Sequence, residues 1–429
     1  MNGIFLAIVL IAFFAAAWRE LGHVPAEGMQ SPMEALSAGM ISAAGGAVEL
    51  ALGLVGVMTL FLGLMKVAEA GGLLVIIAKL IRPLMTRLFP EVPPDHPAMG
   101  AMILNLSANA LGLGNAATPF GIRAMQELDK LNPRPGTATN SMALFLAINT
   151  SGITLLPTGV IAIRAAAGSL EPAAILPTTL FATACATIAA ITMAFLLRRL
   201  FPLGPVDPVA AAMPRPWVEE GTREAVPDSG AYPLWVSVVA LLGVAALIPA
   251  TIVWGRVISP WIVPGLMVGF LVFGAVRGVR IYEVFVDGAK EGFQVALRIV
   301  PYLVAILVAV GMFRASGAMD AMVSVLGGLT ARFNLPPEAL PMALLRPLSG
   351  SGAYGVMASI INDPNIGPDS YVGMLVTTLQ GSTETTFYVL AVYFGAVQIR
   401  RIRHTLAAAL TADVVAVIAA VVICSALFL

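Results

Sequence analysis

Along the chain, apolar windows set between charged or Pro/Gly-rich breaks predict spanning helices near 3–17, 49–66, 98–128, 173–197, 233–253, 258–276, 294–313, 338–361 and 405–428. Runs such as Ala173–Leu197 and Thr405–Leu429 carry almost no charge, and each can cross about 30 Å of hydrocarbon. Two more stretches, 139–165 and 370–397, are interrupted at the middle by polar residues. Their apolar arms of about ten residues are too short to span separately, which predicts re-entrant helical hairpins that end mid-membrane. The N-terminal run Asn2–Trp18 lacks a basic flank and precedes many further spans, so it reads as a retained first helix or signal anchor.

The segment Phe201–Pro233 is different in kind. It holds many prolines together with Asp207, Arg215, Glu219, Glu220, Arg223, Glu224 and Asp228. This predicts an exposed linker over 201–232 that separates a repeat at 1–200 from a repeat at 233–429.

The two sides of the linker resemble one another. ALGLVGVMTLFLGLMKVAEAGG from Ala51 overlays ALRIVPYLVAILVAVGMFRASG from Ala296, and a basic amphipathic stretch follows each. LSANALGLGNA from Leu106 then matches LSGSGAYGVMA from Leu348, and LAINTSGITLLP from Leu146 matches TLQGSTETTFYV from Thr378. Four blocks in one order predict an internal duplication. With the N-terminus in the cytoplasm and each interrupted stretch returning to its own side, Lys66, Lys79, Arg82, Arg87, Arg198, Arg199, Arg277, Arg280, Lys290, Arg400, Arg401 and Arg403 are inside. Arg19, Lys130, Arg134, Arg256, Arg314 and Arg332 are then outside, a positive-inside bias that makes the repeats inverted. Inverted repeats with broken helices are the architecture of many secondary transporters.

Composition agrees and narrows the function classes. Of 429 residues 59% are hydrophobic and 11% charged, and the mean hydropathy is +0.91, so a lipid bilayer is the expected surrounding. A net charge of zero gives no support to a nucleic-acid partner. Cys185 and Cys424 lie far apart in apolar segments, and His23, His96 and His404 form no metal-binding spacing; neither a metal nor another cofactor is expected.

Polar residues inside the apolar windows carry the candidate chemistry. Asn105, Ser107, Asn109 and Asn115, with Gly112 and Gly114, fit a broken helix lining a polar cavity, or else a polar seam between packed helices. Their counterpart is Arg346, Ser349, Ser351 and Tyr354. Arg346 either snorkels to an interface or lies deep against an anion such as Glu384 or a substrate group. Asn149, Thr150, Ser151 and Thr154 mirror Gln380, Ser382, Thr383, Glu384 and Thr385 at the interrupted stretches, where helix ends, hydroxyls and carboxamides can bind an ion or polar solute. Glu384 is the sharpest single residue: a carrier of a coupling proton, a cation ligand or a hydrogen-bond acceptor, or else a solvated loop acid. Asp413, eight residues into the last window, is expected to pair with Arg403 or His404 in preference to a transport role.

NLSANALGLGNAATPFGIRAMQELDKLNP (Asn105–Pro133) and TNSMALFLAINTSGITLLPTGVIAIRAAAGS (Thr139–Ser169) resemble the spore maturation protein A family. RPLSGSGAYGVMASI (Arg346–Ile360) and LQGSTETTFYVLAVYFGAV (Leu379–Val397) resemble the spore maturation protein B family. The chain therefore looks like a fusion of the two, joined by the linker. Both families are similar to the nucleoside recognition or gate domain found in concentrative nucleoside transporters and ferrous iron permeases. The resemblance implies an all-α membrane fold of that transporter type, with a hairpin-tip Gln-Thr-Glu element whose nearest match here is Gln380, Thr383 and Glu384. In the first repeat Gly152 stands where Glu384 would align, so the carboxylate is present once.

The leading expectation is a multi-pass secondary transporter of the bacterial cytoplasmic (inner) membrane. It binds a small polar solute, nucleoside-like by resemblance, with H+ or Na+ as the coupling ion. A non-transporting scaffold for envelope or spore maturation is the second reading. An intramembrane enzyme is the third, and it lacks a His or Lys placed as general base beside any serine. The fused repeats could be complete as a monomer and then pair as a homo-oligomer.

Overall fold

The structure is a computed structural model that describes residues 2–24, 30–112, 114–152, 154–203 and 231–429. Most of the predicted linker 201–232, namely 204–230, lies outside the described residues, as does the side chain of Asn115. The described residues are helical with no strand among them, in keeping with a membrane protein. In the first part of the chain the helices are α1 (Asn2–Leu21), α2 (Pro32–Ala70), α3 (Leu73–Leu88), α4 (Pro97–Ala110), α5 (Gly114–Lys130), α6 (Asn140–Thr150), α7 (Thr158–Ala166) and α8 (Leu176–Leu197). In the second they are α9 (Leu234–Val276), α10 (Ile281–Ala315), α11 (Ala318–Thr330), α12 (Leu340–Leu345), α13 (Gly350–Ile361), α14 (Tyr371–Ser382), α15 (Thr386–Ala396) and α16 (Thr405–Phe428).

The windows 49–66 and 294–313 lie within the long helices α2 and α10. Helix α2 opens with a full capping box, in which Ser31 accepts from the Glu34 amide while Glu34 reaches back to the Ser31 amide. The two helices run antiparallel along a glycine seam. A Cβ built on Gly292 would lie 2.7 Å from the Met58 carbonyl oxygen, and one on Gly311 would lie 2.8 Å from the Ala43 Cβ. Small residues let the backbones approach this closely where lipid supplies no hydrophobic drive between helices. The windows 233–253 and 258–276 run together as α9.

The roles predicted for two pairs of polar-interrupted segments are exchanged. Window 98–128, expected to cross, folds back on itself. Helices α4 and α5 pack against each other, Asn105 donates to the Ala117 carbonyl across the turn (2.8 Å), and Glu127 at the end of α5 faces His96 at the start of α4. Window 338–361 likewise doubles back as α12 and α13. Stretches 139–165 and 370–397, expected to be hairpins, instead run onward. The start of α6 meets the chain beyond α15, with Ala138 N–H on the Arg401 carbonyl (2.9 Å). The end of α7 meets the start of α14, with Arg164 on the Pro368 carbonyl (2.6 Å) and Asp369 (2.8 Å).

The physical cause is turn chemistry. At the α4–α5 tip Gly112 takes φ +75°, a left-handed conformation that reverses a helix, whereas the break after α6 restarts on Pro157, the residue that caps α7. The exchange also corrects the sidedness assigned to Lys130 and Arg134. Arg134 donates to the Leu203 carbonyl (2.7 Å) beyond α8, so it shares a side with Arg198 and Arg199.

The polarity of the fold is inverted relative to a soluble domain. Phe14, Trp18, Ile188, Leu242, Trp261, Val268 and Ile418 are exposed, while Asn105, Asn149, Thr150, Ser151, Thr378 and Gln380 are buried. Such an exterior suits lipid. Among the described residues two helices are long and apolar enough to span unaided, Pro172–Leu197 and Thr405–Phe428, and the pair Met58–Ala70 and Leu73–Leu88, bent by 68°, is a third if counted as one. Replacing Gly292 by valine is expected to force α2 and α10 apart, lowering stability by ~1–3 kcal/mol. Thermal unfolding of the purified protein in detergent measures it; an unchanged midpoint would show that the seam tolerates the added bulk.

Candidate functional site

Both helix breaks and both hairpin tips meet at one place. Backbone groups released at a break need partners where water is scarce, and each break finds them on its own hairpin. At the first, the Leu155 amide donates to the Ala110 carbonyl (2.8 Å), Asn109 donates to Asn149 Oδ1 (3.0 Å), and Gly112 sits directly against the Leu156 carbonyl. At the second, the Phe387 amide donates to the Pro347 carbonyl (3.1 Å) and Gly350 lies beside Thr385 Oγ1. The breaks are joined directly, Glu384 N–H donating to the Thr150 carbonyl (2.8 Å).

Arg346 is buried at 7% exposure and so is not a snorkelling residue. Its Nε donates to the Gln380 carbonyl (3.1 Å), Nη1 to Thr385 Oγ1 (3.1 Å) and Nη2 to the Thr383 carbonyl. The guanidinium thus satisfies carbonyls left open where α14 ends, which a planar fork of donors does well. Glu384 stands 3.8 Å from Nη2 with its side chain 44% exposed. Arg346 is a pin for the second break, with one flank turned to Glu384.

The remaining predicted residues divide into those engaged within the protein and those with spare capacity. Ser107, Thr150, Ser151 and Ser382 donate to carbonyls within their own helices, Ser349 caps α13 by accepting from the Gly352 amide, and Thr154 reaches the Gly152 carbonyl only at 3.5 Å. Asn149 also donates to the Phe145 carbonyl (2.9 Å). Ser351 lies half-buried in the first turn of α13. Tyr354 packs against Gly159 of α7, and the buried Gln380 carboxamide lies against its hydroxyl without reaching hydrogen-bond geometry. Gln380, Asn105 Oδ1 and the half-exposed Glu384 keep acceptor or donor capacity free at the junction.

Two participants, Tyr393 and Arg164, escaped the sequence reading, and a third, Asp413, was expected with other partners. Tyr393 of α15 accepts from Asn105 (3.1 Å) and stacks on Phe145. Arg164, fully buried, clamps α7 to Asp369 and to Thr377 of α14; a lone Arg in an apolar run was the available signal. Asp413 pairs with neither Arg403 nor His404. It faces the second break and accepts from Thr386 (2.7 Å), while Arg403 binds the Ala138 and Phe201 carbonyls. His404, at the outer end of α16, is pushed down to about 4 by burial and by Arg403, so it is neutral at neutral pH and offers Asp413 no charge. The cavity lined by Glu91, Asn140, Ser141 and Arg198 lies at the outer end of α6, away from this junction.

Comparison with known proteins gives the family. The family described as nucleoside recognition (Gate) matches residues 51–199 and 296–400, more than half of the chain. The chain belongs to the nucleoside recognition (gate) family. Spore maturation protein B of Bacillus subtilis (strain 168) is 43% identical over 166 residues, 39% of this chain and 92% of that protein. Spore maturation protein A of the same organism is 51% identical over 145 residues, 34% of this chain and 74% of its own length. The inner membrane protein YjiG of Escherichia coli (strain K12) is 31% identical over 82 residues, 19% of this chain and 54% of that protein. No solved structure matches.

In this gate-family chain the Gln380, Thr383 and Glu384 set lies at the break between α14 and α15 and not on a hairpin tip. Arg346→Ala is expected to leave the Gln380 and Thr383 carbonyls buried and unpaired, a loss of about 1–3 kcal/mol for each. Arg346→Lys should recover little of it, because an ammonium cannot serve three divergent acceptors from one plane. Thermal unfolding compares the two; full recovery by lysine would mean that charge, not the fork, holds the break.

Proposed function

We propose that the chain is a multi-pass carrier of the bacterial cytoplasmic membrane that binds a small polar solute where its two helix breaks meet. The observation that carries this reading is the convergence of four discontinuities on one buried junction with Gln380 and Glu384 left partly free. Irregular backbone at membrane depth is tolerated where it is buried in protein or lines a cavity, and such breaks are where transporters hold their solutes. A buried carboxamide and a half-exposed carboxylate, both near Tyr354, suit a solute with several hydroxyl and amide edges. The family's description makes a nucleoside the first to try.

We read the chain as two inverted repeats, α2 to α8 and α10 to α16, each with a re-entrant hairpin followed by a broken crossing helix. Matching contacts support it: α6 touches α8 and α16, and α14 touches α16 and α8. With α4–α5 re-entrant, Lys130 and Arg134 join the cytoplasmic side, which strengthens the positive-inside bias.

Saturable uptake of radiolabelled uridine into proteoliposomes is the functional test. Glu384→Gln removes a charged acceptor worth about 1.5–3 kcal/mol and is expected to weaken uptake roughly ten- to hundredfold. Unchanged uptake would remove Glu384 from the site, and no saturable uptake by the unaltered protein of any nucleoside or amino acid tried would overturn the carrier reading. Inversion is tested separately. In a protein with Cys185 and Cys424 replaced by alanine, Leu131→Cys and Asn365→Cys should react with an impermeant maleimide from opposite faces; labelling from one face would reject the topology.

A further inference from the structure

Asp413 faces the second break through Thr386, yet neither the pinning of the breaks nor the proposed solute contacts use it. It lies within α16, one of the helices apolar enough to span, and is 6% exposed. One oxygen, Oδ2, accepts from Thr386 Oγ1 at 2.7 Å; the other, Oδ1, is buried with no donor among the described residues. Thr386 is fully buried and is the first residue of α15, immediately after the break that Arg346 pins.

Among the described residues no cation is in hydrogen-bond or ion-pair contact with Asp413. Packed around α16 are α6, α8, α14 and α15. Helix α6 has no titratable side chain, α8 has Cys185, α14 has Tyr371, and α15 has Tyr388 and Tyr393. The charged group that faces Asp413 is Arg346, and its Nε, Nη1 and Nη2 are already directed at the Gln380 carbonyl, Thr385 Oγ1 and the Thr383 carbonyl. A carboxylate with one oxygen solvated by a single hydroxyl and the other by nothing is a costly species; the neutral acid is not.

We propose that Asp413 is a proton-binding group of the junction, carrying its proton in the conformation described here and releasing it to water when the α14–α15 break withdraws Thr386. The step is a simple dissociation: the Asp413 O–H bond breaks, its electron pair stays on the carboxylate, and the proton leaves to solvent. The moving break rests on the carrier reading; the bound proton does not. Glu384, half exposed and beside Arg346, is then left for the solute, and the two acids divide the work between coupling and recognition.

Infrared spectroscopy of the purified protein in lipid nanodiscs, with no solute added, tests the proton directly. At neutral pH the unaltered protein should show the carbonyl stretch of a protonated carboxylic acid, absent in Asp413→Asn and retained in Glu384→Gln. Uniform 13C-aspartate labelling of the unaltered chain should shift the same band, a reading that needs no variant to fold. No such band at neutral pH, a band that survives in Asp413→Asn, or one insensitive to the label would each overturn the proposal. Because no transport is measured, failure here is distinct from failure of the uptake experiment.

Discussion

The structure depends on one constraint: an interrupted helix inside an apolar bundle must find partners for the amides and carbonyls that the interruption frees. Here the partners are the tips of two helical hairpins. The α4–α5 tip supplies the Ala110 carbonyl to Leu155, and the segment between α12 and α13 supplies the Pro347 carbonyl to Phe387 and the Arg346 guanidinium to α14. Hairpin and break are therefore not two motifs but one closed set of hydrogen bonds. Polar residues are concentrated there because nothing else in the bundle can satisfy the backbone.

That constraint explains why so many conspicuous polar residues face inward onto the protein. Ser107, Ser151 and Ser382 return a hydroxyl to their own helix, and Asn109 and Asn149 bond each other. Abundance of polar side chains at membrane depth is thus a poor measure of a binding site. What marks a site is capacity left over once the backbone has been served, and at this junction it is concentrated in Gln380, Glu384, Asn105 and Asp413.

The helical, apolar character of the fold was legible in the apolar windows. The direction of the chain at each interruption was not legible from hydropathy, because 98–128 and 139–165 are apolar runs of similar length with polar middles. The distinguishing signal was local: Gly112 in a left-handed conformation turns α4 back, while Pro157 restarts a helix that continues. Asp413 was misassigned for a different reason. Spacing from the helix start put it near Arg403 and His404, but a helix presents its residues over every azimuth, and only the packing of α16 against α14 and α15 turns that carboxylate to Thr386.

The two breaks share a bond, and this limits how they can behave. The Thr150 carbonyl that ends α6 is held by the Glu384 amide in the second break, so neither break can open without depriving the other of a partner. Gly381, close against Thr179 and Pro157, leaves no slack for a compensating shift. At the outer ends the connection crosses over, α7 clamped to the start of α14 by Arg164 and the segment after α15 bonded to the start of α6. Coupling between distant elements needs a pair of arrangements that both sites bias. A junction in which one hydrogen bond serves both breaks, flanked by a pinned arginine and an acid with a vacant oxygen, is a compact place for such a choice to be made.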